Sequence, residues 1–147
     1  MKSTIRKSAF VSFVAVALLF SATRDVLAQS SGSIKLNKDA SDFAGKLIKE
    51  GHVIADGKGA WSNHRPSAQE ENQFIRLHGF NEYAKWYLGI DERYGANTKR
   101  RYKFPYGDFK NVHRCGLLAA RSRAAQFKYS DIDDAVARLI EMIKQRK

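Results

Sequence analysis

The sequence predicts a mainly α-helical domain, with a small α+β arrangement as its alternative: a compact helical unit with a minor two-stranded element, set behind a cleaved signal peptide. Three observations lead there. Ile132, Val136, Leu139, Ile140 and Ile143 recur at three- and four-residue steps, the clearest amphipathic stripe in the chain. Ser67-Ala68-Gln69-Glu70 has the form of a capping box, in which serine and glutamate satisfy each other's exposed amides. Stretches that alternate like strands are few and short, chiefly Arg101-Tyr102-Lys103-Phe104 before Pro105.

The chain opens on Lys2, Arg6 and Lys7, followed by an apolar stretch from Ala9 to Ala22 broken only by Ser12 and Ser21. At about 14 residues it falls short of the roughly 20 that a helix needs to cross a bilayer core. Val26-Leu27-Ala28 then offers small or aliphatic residues where a signal peptidase reads, and no cysteine lies nearby to take a lipid. The expected organisation is a signal peptide over 1–28, a flexible leader over 29–38 and one globular domain over 39–147. The mature protein is expected in the periplasm or outside the cell, without a stable membrane anchor.

Within the domain, Phe43, Leu47 and Ile48 predict a first helix, capped by Asp39 or Ser41 and stopped by Gly51. His52-Val53-Ile54-Ala55 reads as a brief extended piece before the turn residues Asp56-Gly57-Lys58-Gly59. A helix from the capping box carries Phe74, Ile75 and Leu77 and should stop at Gly79; a short helix then runs into an extended Tyr87 to Ile90. Asn111 is the expected cap of a helix from Val112 to about Gln126, and Ser130 with Asp133 opens the last helix.

The chain carries a formal charge of +11; the signal segment removes Lys2, Arg6, Lys7, Arg24 and Asp25, leaving +8. Such a charge bears on solubility and on anionic partners, not on fold. Cys115 is the only cysteine, so no intramolecular disulfide can form, and burial is its expected state.

Charge and aromatics interleave most densely in Lys99, Arg100, Arg101, Tyr102 and Lys103, a pattern that can hold phosphates and stack flat groups, or form a half-buried strand. Trp61, Trp86, His113 and Arg114 join these as candidate binding residues. His52, His64, His78 and His113 are scattered without a two-ligand spacing, so no metal and no cofactor is expected. On a helix, His113 and Cys115 would point about 200° apart, which argues against a thiol dyad.

The runs Glu70-Glu71-Asn72-Gln73-Phe74-Ile75, Trp86-Tyr87-Leu88-Gly89-Ile90-Asp91 and Arg101 to Phe109, continuing through Val112-His113-Arg114-Cys115-Gly116, resemble a family of small uncharacterised bacterial proteins over about Gly51 to Ile143. The resemblance implies no activity, and the signal peptide departs from the family's pattern. Lys103 to Ile143 is also similar to segments attached to some tailed-phage head proteins, which implies a small helical assembly or docking module.

The reading of function is an exported, non-enzymatic module whose basic face binds an anionic partner. Envelope polymers come first, lipid head groups second and nucleic acid last. One alternative is a small envelope-acting hydrolase or transferase, with His64, Asp91, Asp108, His113 and Cys115 drawn from separate elements. The other is a structural or assembly protein.

Overall fold

The computed structural model describes residues 34–146; the expected signal peptide and the first part of the leader lie outside the described residues. The elements are β1 (Ile34–Leu36), α1 (Lys38–Glu50), β2 (Val53–Ile54), α2 (Trp61–His64), α3 (Ala68–Ala84), β3 (Tyr87–Asp91), β4 (Tyr102–Pro105), β5 (Val112–His113), α4 (Arg114–Gln126) and α5 (Ser130–Lys144). Among them no helix is long and apolar enough to cross a membrane.

The domain is α+β, which corrects the expectation of a mainly helical fold with one two-stranded element. Strands β1, β3 and β4 form an antiparallel sheet with β3 in the middle, and β2 pairs in parallel with β5. The extended pieces expected at 52–55, 87–90 and 101–104 became β2, β3 and β4, but β1 and β5 were not expected, being too short for alternation to register. Strand β1 lies inside the polar leader expected to carry little order; Ile34 pairs with Asp91 and Leu36 with Gly89, so partners supply what local sequence lacks. Gly89 has a reason to be glycine, since a Cβ there would lie 2.7 Å from the Phe104 ring.

Helix α1 is capped by Asn37, not by Asp39 or Ser41, and Gly51 closes it at φ 91°. The capping box forms: Glu70 accepts from the Ser67 amide at 2.8 Å, and Ser67 Oγ accepts from the Glu70 amide at 3.3 Å. Gly79, at φ 77° and ψ 172°, stops the first helical stretch as expected and divides α3 into two, the second a short helix ending at Ala84. The helix expected from Val112 begins at Arg114. Asn111 is engaged in a turn, its amide donated to Asp108 Oδ1 at 2.6 Å, while the His113 amide goes to the Tyr106 carbonyl at 3.0 Å in strand-like pairing.

The core joins α1, α4 and α5 to the sheet. The α5 stripe Ile132, Val136, Leu139, Ile140 and Ile143 is buried as expected, though the Ser130 cap is not made and Tyr129 precedes the helix without a side-chain bond. Aromatic residues fill the middle: Trp86 stacks on Tyr106 at 5.8 Å and meets Phe43 and Phe109 edge-on. Trp86 is therefore core, not ligand platform. Tyr106 is fully buried and donates its hydroxyl to the Lys85 carbonyl at 2.6 Å.

Asn37 ties three elements. Its Nδ2 donates to the carbonyls of Ala84 and Tyr87 at 2.9 and 3.0 Å, its Oδ1 caps α1, and its amide donates to Leu88. Asn37→Ala should lower stability by about 3 kcal/mol, because it removes a cap and leaves two carbonyls without their donor. Asn37→Ser keeps a cap oxygen without setting a second acceptor against those carbonyls and should lose less. Urea unfolding of both variants decides it, and equal losses would mean that the cap contributes nothing.

Burial raises the ionisation of Tyr83, Tyr87, Tyr102 and Tyr106 above the ordinary tyrosine range. A raised folded value means the folded state keeps protons that the unfolded chain gives up. Stability is then whole below pH of about 10 and falls as pH rises past it. Urea midpoints from pH 8 upward should show this fall, and Tyr106→Phe should make it shallower; a fall of unchanged steepness in that variant would exclude Tyr106 as a contributor.

Candidate functional site

Asp56 stands just after β2, in the turn that the glycines flanking Lys58 allow. The parallel pairing of β2 with β5 sets Ile54 beside His113, and so brings the Asp56 carboxylate to the β5–α4 junction. There its two oxygens divide their work. Oδ1 accepts the Cys115 amide at 2.7 Å, while Oδ2 meets His64 Nδ1 at 2.6 Å, His113 Nδ1 at 2.7 Å and Cys115 Sγ at 3.0 Å. Cys115 Sγ lies 3.7 Å from His64 Nδ1. One ligand atom from each of the four side chains falls within 4.8 Å of every other.

Local structure explains why these groups converge. His113 ends β5 with extended backbone, and Cys115 is the second residue of α4. The strand-to-helix turn between them aims both side chains the same way, which corrects the expectation of opposed directions on one helix. His64 comes from the four-residue helix α2, whose position depends on Gly116: a Cβ there would lie 2.9 Å from both the Trp61 ring and the Tyr106 carbonyl oxygen. Trp61 thus rests on bare backbone, its ring 6.1 Å from that of His113.

The site is mostly enclosed. His113 and Cys115 are buried, whereas the His64 side chain is 38% exposed and borders a 440 Å³ pocket that Asp108 also lines. Burial opposes ionisation of Asp56, but the Cys115 thiol and amide and the two imidazoles outweigh it and hold the carboxyl far below its usual range. Burial, then the Asp56 carboxylate, pushes the Cys115 thiol up to about 12. His113 Nε2 is buried and makes no hydrogen bond, although Asp108 Oδ2 lies 3.2 Å away, off the bonding line.

This set of donors could hold a metal ion. Two imidazoles, a thiol and a carboxylate are the donors zinc takes, at about 2.0–2.3 Å each, which places tetrahedral ligands about 3.3–3.8 Å apart. The Sγ to Nδ1 separation of 3.7 Å falls in that range, whereas the 2.6, 2.7 and 3.0 Å contacts to Asp56 Oδ2 are hydrogen bonds that would have to open to admit an ion. A metal on His113 Nδ1 would require Nε2 to carry the proton; Asp108 Oδ2 lies 3.2 Å from it and would have to come into line to complete the carboxylate–histidine arrangement common behind metal ligands. A thiol nucleophile fits less well, because the Asp56 carboxylate sits among the thiol and both imidazoles and shares one oxygen with all three.

The other expected residues disperse. Arg114 supports the cluster by donating to the Asp56 carbonyl at 3.2 Å. Asp91 is buried elsewhere, bound at both oxygens by Arg93. Lys99 pairs with Glu71 at 2.6 Å, Arg101 donates to the Tyr94 carbonyl, and Tyr102 is buried with its hydroxyl on the Ala96 carbonyl. Arg100 and Lys103 lie over the Tyr94 ring. Asp56 was missed because one acid in a Gly-rich turn looks like turn chemistry. The signal that could have found the site was His-x-Cys at a strand-to-helix junction.

No family model, no curated protein and no solved structure matches this chain. What the site does therefore follows from its own geometry and chemistry.

Proposed function

We propose that this chain is an exported protein built around one divalent transition-metal ion of the zinc type, held by Asp56, His64, His113 and Cys115. The export follows from the basic start and apolar stretch of residues 1–28; the metal follows from the cluster. The observation that carries it is the convergence of three donors on a single Asp56 oxygen. A divalent cation among these groups replaces three contacts to one oxygen with four ligand bonds and takes up both anionic charges, the thiolate included.

Four protein ligands make a closed site, which is the structural rather than the catalytic form. Its work is mechanical. Among the described residues, the long-range hydrogen bonds of the segment from Ala55 to Pro66 all involve Asp56 or His64. The metal staples this segment to β5 and α4 where the lone cysteine leaves no disulfide to do so.

A second reading, metal-assisted hydrolysis, draws on the exposed edge of His64 and the pocket beside it. It requires that Asp56 leave the metal to a water molecule. X-ray absorption separates the two, through four protein ligands or three and a water.

The purified protein is expected to carry about one zinc per chain by elemental analysis. Its cobalt form should show the intense visible bands of a tetrahedral ion and a thiolate-to-metal band in the near ultraviolet. Cys115→Ser should abolish that band, and His113→Ala should lower metal content severalfold. Chelation should quicken hydrogen exchange in residues 55–66 before the rest of the domain. A metal-free protein with an octahedral cobalt spectrum lacking the thiolate band would overturn the reading.

Gly116→Ala tests how the site is positioned. The added methyl should displace Trp61, and with it His64, and press on the Tyr106 carbonyl that holds the His113 amide, weakening metal affinity at least tenfold in competition with a chelator. Unchanged affinity would mean that α2 is set independently of the Trp61 seat.

A further inference from the structure

A concavity of about 1030 Å³ touches the α2 segment at Trp61 and Arg65 and is otherwise formed by Ile34 of β1, α3, the β3–β4 region, α4 and the residues just after it. Six cations line it: Arg65, Arg93, Lys99, Arg100, Lys103 and Arg123. The acids among its lining residues are Glu71 and Asp91, and both are already answered. Lys99 holds Glu71 at 2.6 Å, and Arg93 grips Asp91 with Nε at 2.9 Å and Nη2 at 2.7 Å.

Arg65, Arg100, Lys103 and Arg123 remain, each without a carboxylate at ion-pair distance among the described residues. Aromatic faces support three of them instead. The Arg100 guanidinium lies 4.9 Å and the Lys103 ammonium 5.7 Å from the centre of the Tyr94 ring, and Arg123 lies 5.5 Å from that of Phe127. Phe127 is itself 49% exposed, a large apolar ring left at the cleft. Gathering like charges in a concavity costs free energy, which an anionic ligand recovers, and concave walls strengthen the field it meets.

We propose that this cleft binds a phosphate-bearing polymer chain, with Arg65, Arg100, Lys103 and Arg123 contacting its phosphates and Phe127 packing against its apolar parts. Shape selects a chain over a membrane. A bilayer presents a flat sheet of head groups that cannot enter a cleft, whereas a flexible strand can follow it. Arg100 and Lys103 are among the residues the sequence singled out and Arg65 and Arg123 join them, whereas Lys99, Arg101 and Tyr102 are occupied within the protein. The proposal stands independently of the metal.

The test is binding of the purified protein to long-chain inorganic polyphosphate, to oligo-dT and to phosphatidylglycerol vesicles across a salt series, with neutral dextran as the blank. Four phosphate contacts predict a slope of about −3 in log affinity against log salt for a single-stranded polymer. The R100Q/K103Q/R123Q variant should lose at least tenfold in affinity and about 2 from that slope, with an unaltered melting temperature. A control variant, K38Q/K49Q/R138Q, removes the same charge from exposed positions outside the cleft and should bind like the parent. Tighter binding of oligo-dT than of polyphosphate identifies a base-bearing strand as the ligand; similar binding identifies the phosphate chain alone. Equal losses in the two variants, or vesicles bound as tightly as the polymers, would overturn the proposal.

Discussion

One carboxylate oxygen organises the part of this protein that is most exposed to failure. Asp56 Oδ2 gathers two imidazoles and a thiol, while Oδ1 holds the first turn of α4 by an amide. These contacts join a Gly-rich turn, a four-residue helix and a two-residue strand, none of which could keep its conformation alone. Each donor comes from an element that needs the others to stay in place. Removing the carboxylate would release them together.

Around that point the domain is held by conventional means. The α5 stripe packs on α1 and α4, aromatic rings fill the space under the sheet, and Asn37 and Tyr106 close the carbonyls where elements end. Glycine matters where backbones or rings approach closely: Gly116 beneath Trp61, and Gly107, where a Cβ would meet the Trp86 ring at 2.5 Å. The two regions divide labour. The core supplies stability, and the cluster supplies order to a segment that the core does not reach.

The sequence made the helices legible because their signals are local. The capping box at Ser67, the Gly51 stop and the α5 stripe each depend on residues within one or two turns. Strands β1, β2 and β5 were less legible, since two or three residues form a strand only when a partner from far along the chain is beside them. The cluster was hidden for the same reason. His64 and His113 lie far apart in sequence, and the β2–β5 pairing with the Trp61 seat on Gly116 brings their elements together. His113 and Cys115 misled in the opposite way, because assigning both to one helix by periodicity turned them apart, whereas a helix beginning at Arg114 turns them together. Basic character was legible throughout; which cations are engaged internally was not.

The parallel pairing of β2 with β5 also sets an order of events. Its partners are separated by the whole of α2, α3, β3 and β4, so a chain that is still extended holds Asp56 and His64 far from His113 and Cys115. Such a chain offers a metal no complete set of ligands, only fragments of one. On the proposed export and metal, a thread drawn through a membrane pore would travel without cargo, and the compartment where folding ends, not the place of synthesis, would decide the identity of the ion.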